Sequence, residues 1–492
     1  MTIPFQSARA AEVRRLREKG ALQEALDLFP HIEEDDDGWN DLELVGELAR
    51  AHSLAGDEQG VVRFFQRCAD LNPGRAALYR CQVGWFYQRR KNWARALRWY
   101  EEALETFPNY HLCLFRKGYC LERQHRPRAA AAACAAAAEV FEKSDADQRA
   151  RSLGIQIQNL FHLSRNLRET GATAAARAAL EKCDLLDTGP ENIIRREHRL
   201  ASRAEIALAE NLPAEAVADL EAARKMENRS AVLWERLGRA YHALGRPTDA
   251  EAALRHATRL PKGAVSLVAL ARFLRAEKRL VECAETLHQG LREHPKGEVQ
   301  LRLESARLEL ALDRPGKALA ILERLNAGRV QAGSTQAVAI ESAIGALHAS
   351  HGDFARALPY LEAAAAQESA HDDTRQALAE ARASAAAGPL NVQPMQDAPL
   401  PAPIAAVLER APQRIEGEVV SYFADRGFGF VAHGEKRDTI FFHVSQCQGL
   451  DGGLPEPGQA VTFFLARNRR NGKSQAEEIL PRVRVQAATS AG

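Results

Sequence analysis

Two hydrophobic periods divide the chain. From about residue 5 to residue 388, apolar residues recur at three and four positions, the spacing that gathers them on one stripe of an α-helix; from Arg414 onward they alternate with polar residues, as in half-buried β-strands. The helical part repeats itself. In AALYRCQVGWFYQRRKNWARALRWYEEALETFPN, residues Gly84, Tyr87, Ala96, Tyr100, Ala103 and Pro108 outline a helix pair, and a second unit with Gly118, Leu121, Ala130 and Ala137 begins about 34 residues later. A third, AVLWERLGRAYHALGRPTDAEAALRHATRL, carries Trp234, Leu237, Gly238, Tyr241, Ala250, Leu254 and Ala257 at the same offsets. Small residues at the eighth and twentieth positions let two antiparallel helices approach, large ones fill the space around them, and proline near the end stops the second helix.

Weaker copies keep phase on both sides, through Ala25, Ala49, Phe65 and Pro73 upstream and through Ala216, Leu274, Leu287, Gly345 and Ala364 downstream. The phase slips near 142–195 and 298–336, which reads as degenerate units or longer loops. The alanine run Ala129–Val140 falls on a second helix and reads as packed helix, since alanine has the best helix propensity. Glu33–Asp37 reads as a solvated loop before Trp39. About ten helix pairs over residues 1–388 make an all-α superhelical solenoid, each pair burying its face on its neighbours.

Prolines 389, 394, 399, 401, 403 and 412 then mark residues 389–413 as an extended, semi-rigid spacer, past which the chain can move relative to the solenoid. IEGEVVSYF, RGFGFV, DTIFFHVS, QAVTFFLAR and SQAEEILP are about five short strands within 414–485, enough for a small all-β closed barrel of the OB type. Residues 486–492 read as a disordered tail. Alternation puts Arg426, Phe428 and Phe430 on one face, and Phe441 with His443 opposite Ile440, Phe442 and Val444. Gly427 and Gly429 put no bulk behind the two rings, which marks the phenylalanine face as the outward one.

The Trp234–Ala257 unit resembles the tetratricopeptide repeat, W-x2-L-G-x2-Y…A-x3-F/L-x2-A. Residues 415–481 resemble the cold-shock domain: RGFGFV matches its K/R-G-F-G-F-I/V motif, IFFHVS its V-F-V-H-F-S motif, and PGQAVTF a later strand. The chain is thus read as a multidomain protein, a tetratricopeptide solenoid followed by a cold-shock barrel. The second resemblance implies that the barrel stacks bases of single-stranded RNA or DNA, RNA first, on Phe428, Phe430, Phe441 and His443, with Arg426 near the phosphates and Tyr422 in place of a missing tryptophan. Val420 and Ser421 stand where the family has lysine and tryptophan, Val444 where it has an aromatic, and Thr439 where aspartate is usual.

Charge tempers that picture. The 66 Lys+Arg and 65 Asp+Glu leave a net charge of +1, and ten basic residues face nine acidic ones between Arg414 and Arg484, so any phosphate attraction must be local, at Arg467, Arg469, Arg470 and Lys473. The solenoid implies a protein or peptide partner. Trp85, Gln88 and Arg89 with Phe115, Arg116, Tyr119 and Arg123 are its groove candidates, suited to an acidic or aromatic ligand; the alternative is that these rings pack between repeats and the arginines form a solvated face.

The remaining chemistry is exclusion. The eight cysteines form no CxxC or CxxxC pair, no metal or cofactor is called for, and GxxxxGK[ST], HExxH and G-x-S-x-G are missing, so no enzyme is expected. No stretch approaches the roughly 20 apolar residues of a membrane helix, nor does the start resemble a signal peptide, from which a soluble cytoplasmic protein is expected. The sequence supports a noncatalytic adaptor, with a protein scaffold whose barrel no longer binds nucleic acid as the competing expectation. Oligomeric state is not legible.

Overall fold

The computed structural model describes residues 7–189, 191–260, 264–293, 298–328, 334–367, 372–387, 392–409, 415–434, 438–444, 447, 456–467 and 474–481. The expected tail at 486–492 and both ends of the expected spacer lie outside the described residues. The chain divides into two compact units, Met1–Ser266 with Leu322–Pro394 and Leu267–Ile321 with Met395–Gly492.

The helices follow one another in pairs: α1 (Ala8–Glu18) and α2 (Leu22–Asp27); then, after the single turn α3 (Asp36–Trp39), α4 (Leu42–Ala55) and α5 (Glu58–Leu71); α6 (Ala76–Arg89) and α7 (Trp93–Thr106); α8 (His111–Arg123) and α9 (Pro127–Lys143); α10 (Ala146–Glu169) and α11 (Thr173–Leu186). The series continues with α12 (Arg196–Ala209) and α13 (Pro213–Met226), α14 (Ala231–Ala243) and α15 (Pro247–Arg259), α16 (Ala264–Ala276) and α17 (Leu280–Glu293), α18 (Glu298–Ala311) and α19 (Pro315–Ala327), α20 (Thr335–Ser350) and α21 (Phe354–Ala365), and the unpaired α22 (Asp372–Ala386).

Every pair turns on one left-handed residue just past its first helix, one position on at Gly56 and two at Gly20, Lys91, His125, Gly171, Asn211, Gly245, Lys278, Asp313 and Gly352. At these turns the chain reverses through a helix-closing hydrogen-bond pattern, as where Arg246 N donates to Tyr241 O and Gly245 N to His242 O. The second helix often starts on a proline, at 127, 213, 247 and 315, where the missing donor costs nothing. The turns also account for the first slip of phase. His125 and Gly171 are 46 residues apart because α9 and α10 are long, 17 and 24 residues, and α11 ends at Leu186 while α12 starts only at Arg196, so the first slip combines lengthened helix with a longer connection. The acidic run is likewise more ordered than a solvated loop: Asp35 caps α3 and pairs with Arg9 at 2.6 Å, and Glu33 pairs with Arg63.

Within a pair the two helices touch where the repeat puts its small residues. A Cβ on Gly238 would stand 2.6 Å from Leu254 Cγ and 3.1 Å from Ala250 O; one on Gly84 would stand 2.5 Å from the Tyr100 ring, and one on Gly118 2.5 Å from Cys134 Sγ. Ala96, Tyr100, Ala130, Ala250 and Ala257 are fully buried in these seams. In the alanine run on α9, Ala130, Cys134 and Ala137 are fully buried, so it is packed helix.

The Pro-rich stretch is not extended throughout. Ala402–Glu409 forms a helix, α23, with Pro403 in its first turn, where proline is tolerated; Ile404 and Val407, three apart, are buried, and α23 adjoins α17 in the second unit. Ahead of it Asp397 accepts from the backbone N–H of Gly316 at 2.7 Å and of Lys317 at 3.3 Å, capping α19.

The last strands are β1 (Ile415–Phe423), β2 (Phe428–His433), β3 (Asp438–His443), β4 (Ala460–Arg467) and β5 (Ser474–Pro481), closed in the order β1-β2-β3-β5-β4. β1 pairs antiparallel with β2 and β4, and β3 meets β5 in parallel at Phe441 and Gln475. Val419, Val431, Phe442, Val461, Phe463 and Ile479 fill the interior completely buried. Among the described residues no helix is long and apolar enough to cross a membrane.

Two outcomes test this packing. Gly238→Ala forces a methyl against Leu254 and lowers stability by about 1–3 kcal/mol in denaturant melts, whereas Gly245→Ala, at a turn where nothing lies within 4 Å, costs only its left-handed strain, about 1–2 kcal/mol. Burial also pulls His111 and His348 below the ordinary histidine value of 6.5. The unfolded chain then takes up their protons first, so stability is intact above that value and falls as pH drops through it; melting temperature should decline on acidification, and less steeply in the His111→Gln, His348→Gln variant.

Candidate nucleic-acid interface and partner face

The outer face of β1, β2 and β3 carries a continuous patch of rings. Direct partners in an antiparallel pair point the same way, so Phe428 opposite His443 and Phe430 opposite Phe441 share one face, while Gly429 opposite Phe442 and Val431 opposite Ile440 share the other. Ring centroids lie 6.1 Å apart for Phe428 and Phe430, 5.6 Å for Phe428 and Phe441, and 6.1 Å for Phe430 and Phe441. All three rings are half-buried, His443 is exposed at their edge, and Phe442 is wholly inside. Gly429 is what makes this compatible with a filled core: a Cβ there would stand 2.6 Å from the Phe442 ring and 2.3 Å from Ser421 O. The glycine between the two phenylalanines admits a ring from behind while leaving two in front.

The first strand departs from simple alternation. Pairing of β1 with β2 slips between Val419 and Ser421, a bulge that leaves Val420 47% exposed. A one-residue slip reverses every later side chain. Tyr422, opposite Gly429, therefore turns inward and lies parallel to Phe442, with centroids 6.3 Å apart and planes within 9°. Phe423 takes the outer position instead: it pairs with Phe428, centroid distance 5.2 Å, and is 45% exposed. The aromatic face is thus Phe423, Phe428, Phe430 and Phe441, with His443. A signal for Phe423 was present, since a turn over residues 424–427 puts 423 opposite 428.

Arg426 stands in that turn, 71% exposed and 3.6 Å from Asp425, at the edge of the rings. Arg467 ends β4 opposite Ser474. Arg469, Arg470 and Lys473 lie outside the described residues.

The groove candidates gather on neighbouring first helices, α6 and α8. Arg116 sits over Trp85 at 3.8 Å, and Arg123 over Trp93 at 5.8 Å. Tyr119, half-buried, meets Trp93 at 6.1 Å and His162 at 5.2 Å, the latter edge-on. Gln88 is engaged from within by the Tyr100 hydroxyl at 2.5 Å, and Phe115 is buried near His162, 5.9 Å away. Arg89 and Arg123 are exposed. Arg89 and Arg123, with half-buried Trp85, Arg116 and Tyr119, are therefore the members that combine ring or charge with access, while Gln88 and Phe115 are taken up by packing.

Seven cysteines are free and buried, with burial pushing Cys68, Cys120, Cys134, Cys183 and Cys283 up to about 12; Cys447 is half-buried. Among the described residues no group of His, Cys, Asp and Glu has metal-site geometry.

Comparison with known proteins agrees with both halves. The family described as 'Cold-shock' DNA-binding domain matches residues 415–481, and the tetratricopeptide repeat family matches residues 231–262. No curated protein matches the chain. Among solved structures, a tetratricopeptide repeat protein from Parabacteroides merdae is 12% identical, covering 54% of this chain and 98% of that one at a TM-score of 0.41. The APC/C hetero-tetramer Cut9–Hcn1 is 14% identical over 82% of this chain and 89% of that one, TM-score 0.35, and yeast Tom70 12% identical over 77% and 95%, TM-score 0.36.

The bulge separates two neighbouring rings experimentally. Phe423→Ala should leave the melt of the barrel nearly unchanged and weaken single-strand binding by about 1–3 kcal/mol, the worth of one stacked base. Tyr422→Ala should do the reverse, costing about 2 kcal/mol or more of stability through the space left against Phe442. Alongside helix pairs that close on small residues and a barrel that carries both aromatic motifs on one face, the two family matches give the chain a tetratricopeptide repeat at 231–262 and a cold-shock domain at 415–481.

Proposed function

We propose that the protein is a noncatalytic adaptor: its barrel holds single-stranded nucleic acid, RNA by preference, and its repeats hold a protein partner. The observation that carries the first half is the ring face of Phe423, Phe428, Phe430 and Phe441, four rings within stacking reach of successive bases, three of them half-buried and Phe423 45% exposed. Rings in such number on a small barrel face are a liability unless something covers them. What supports RNA is His443, whose exposed imidazole adds beside the rings a hydrogen-bonding group of the kind that can read a 2′-hydroxyl. Arg426 at the rim supplies a phosphate contact.

The second half rests on Trp85, Arg116 and Tyr119, which present a cation–π pair and an aromatic edge on the first-helix face, a combination suited to an acidic or aromatic segment. One chain that carries both sites raises the effective concentration of each partner for the other, so a barrel short of lysines and of its tryptophan still serves. No step of chemistry is assigned to any residue.

Fluorescence anisotropy of short single-stranded RNA and DNA with the full chain tests the reading. Saturable binding, tighter for RNA, that is lost in the Phe428→Ala, His443→Ala variant is the expected result. A folded wild-type chain that binds neither strand would leave a protein scaffold in its place.

A further inference from the structure

The first helices carry a second feature, one that the aromatic face does not use. Glu205 on α12 is 10% exposed at its side chain, yet three arginines from the flanking first helices converge on it: Arg168 of α10 at 3.5 Å, and Arg236 and Arg239 of α14 at 3.2 and 3.3 Å. One turn back on α10, Arg165 lies 3.2 Å from Glu122 of α8, which also meets His162 at 2.7 Å. Four guanidinium groups thus face two buried carboxylates, with Glu169 3.7 Å from Arg168 at the rim. The excess is felt locally: the Arg236 guanidinium is pushed below its ordinary range by burial, and then by Arg168, Arg165 and Arg239 around it, against the pull of Glu205.

The arrangement recurs. Glu47 on α4, 3% exposed, holds Arg14 and Arg17 of α1 at 3.0 Å each and Arg50 at 2.7 Å, and these line an open cleft of about 500 Å³. In the second unit Glu304 on α18, 1% exposed, holds Arg272 and Arg275 of α16, at 2.6 and 3.6 Å, and Arg307. In each case one buried carboxylate fixes three arginines whose side chains remain 20–54% exposed. A carboxylate that only had to be neutralised needs one partner. Further carboxylates join at the rim, Glu43 and Glu18 on Arg14 and Arg17, and Glu169 on Arg168; on α10 and α14 the four arginines still outnumber Glu122, Glu205 and Glu169.

We infer that the arginines of α10 and α14, clamped by Glu122 and Glu205, bind the phosphates of a single strand, giving the protein a nucleic-acid contact separate from its barrel. Planar guanidinium groups suit phosphate oxygens. What favours a nucleic acid over an acidic peptide is the neighbourhood: Tyr119, His162 and Trp93 adjoin the Glu122 cluster in an edge-to-face chain, so the same surface interleaves cations with rings, which is how sequence-tolerant single-strand sites are built. The role also answers the balanced charge of the barrel, whose weak phosphate attraction is made up elsewhere on the chain. The inference shares with the proposed function the class of ligand and, at the edge of the partner face, Tyr119, and it stands or falls without the barrel.

The test uses the full chain and labelled oligouridylates, one of about 6 nucleotides, within the site size of a single barrel, and one of about 30. In Arg236→Gln, Arg239→Gln the long strand should bind about tenfold more weakly, and the slope of log affinity against log salt should flatten by about 1 to 2, while the short strand binds as in wild type. Arg239→Gln alone, at the most exposed of the four, leaves Arg168 and Arg236 on Glu205, guards against misfolding and should reproduce the direction of the effect with an unchanged melt. In Phe428→Ala, Phe441→Ala the short strand should be lost and the long one retain salt-dependent binding that the arginine substitutions then remove. If the long strand keeps its affinity and salt slope in both arginine variants, the inference is overturned. It is equally overturned if an oligoglutamate peptide binds in an arginine-dependent way and the arginine variants leave oligouridylate binding intact, which would make the surface a peptide site; failure of the short strand alone would count against the barrel and not against the arginines.

Discussion

Everything in the helical part depends on how closely two backbones can approach. At Gly84, Gly118, Gly238 and Gly345 the space for a methyl is already taken by a side chain of the partner helix, and at three of the four a backbone carbonyl four residues earlier stands within 3.3 Å as well. That contact fixes the separation and the rotation of the pair together. Once they are fixed, the large residues around it have one way to pack, and the first helix can present only a particular set of positions outward. The arginines and rings described above sit at those positions because the seam on the other side leaves no alternative.

Much of this was legible because a repeat states its rule several times. Where the small residues stayed at their offsets, in the units around Gly84, Gly118 and Gly238, the sequence period located the pairs. It faltered at 142–195, where α10 gains length: added helical turns shift the offsets without removing the packing. A different marker carries through that region, the left-handed residue of each turn. Five of those ten are Lys, His, Asn or Asp and not glycine, so composition alone does not reveal them.

In the barrel, the motifs identified the face and its phenylalanines, and alternation assigned Phe441, Phe442 and His443 correctly. Alternation failed at a single residue. Nothing in VVSYF announces that Val420 is passed over by its partner strand; the exchange of Tyr422 for Phe423 follows from that bulge, and only the four-residue turn after Phe423 points to it. The spacer departs from its expected form for a related reason: proline content predicts extended chain, but proline at a helix start is compatible with α23, and two apolar residues three apart give it a buried side.

The seven buried thiols lie on α5, α6, α8, α9, α11 and α17, spread along the array and not collected in one place. With most of them pushed up to about 12, they are closed to oxidants and alkylating agents for as long as the pair around each stays shut. Each thiol is therefore a timer for its own stretch of helix. The order in which they become reactive would record where the array frays first, and one that is oxidised while open could not be packed back into its seam, so transient opening would become permanent damage at a known address.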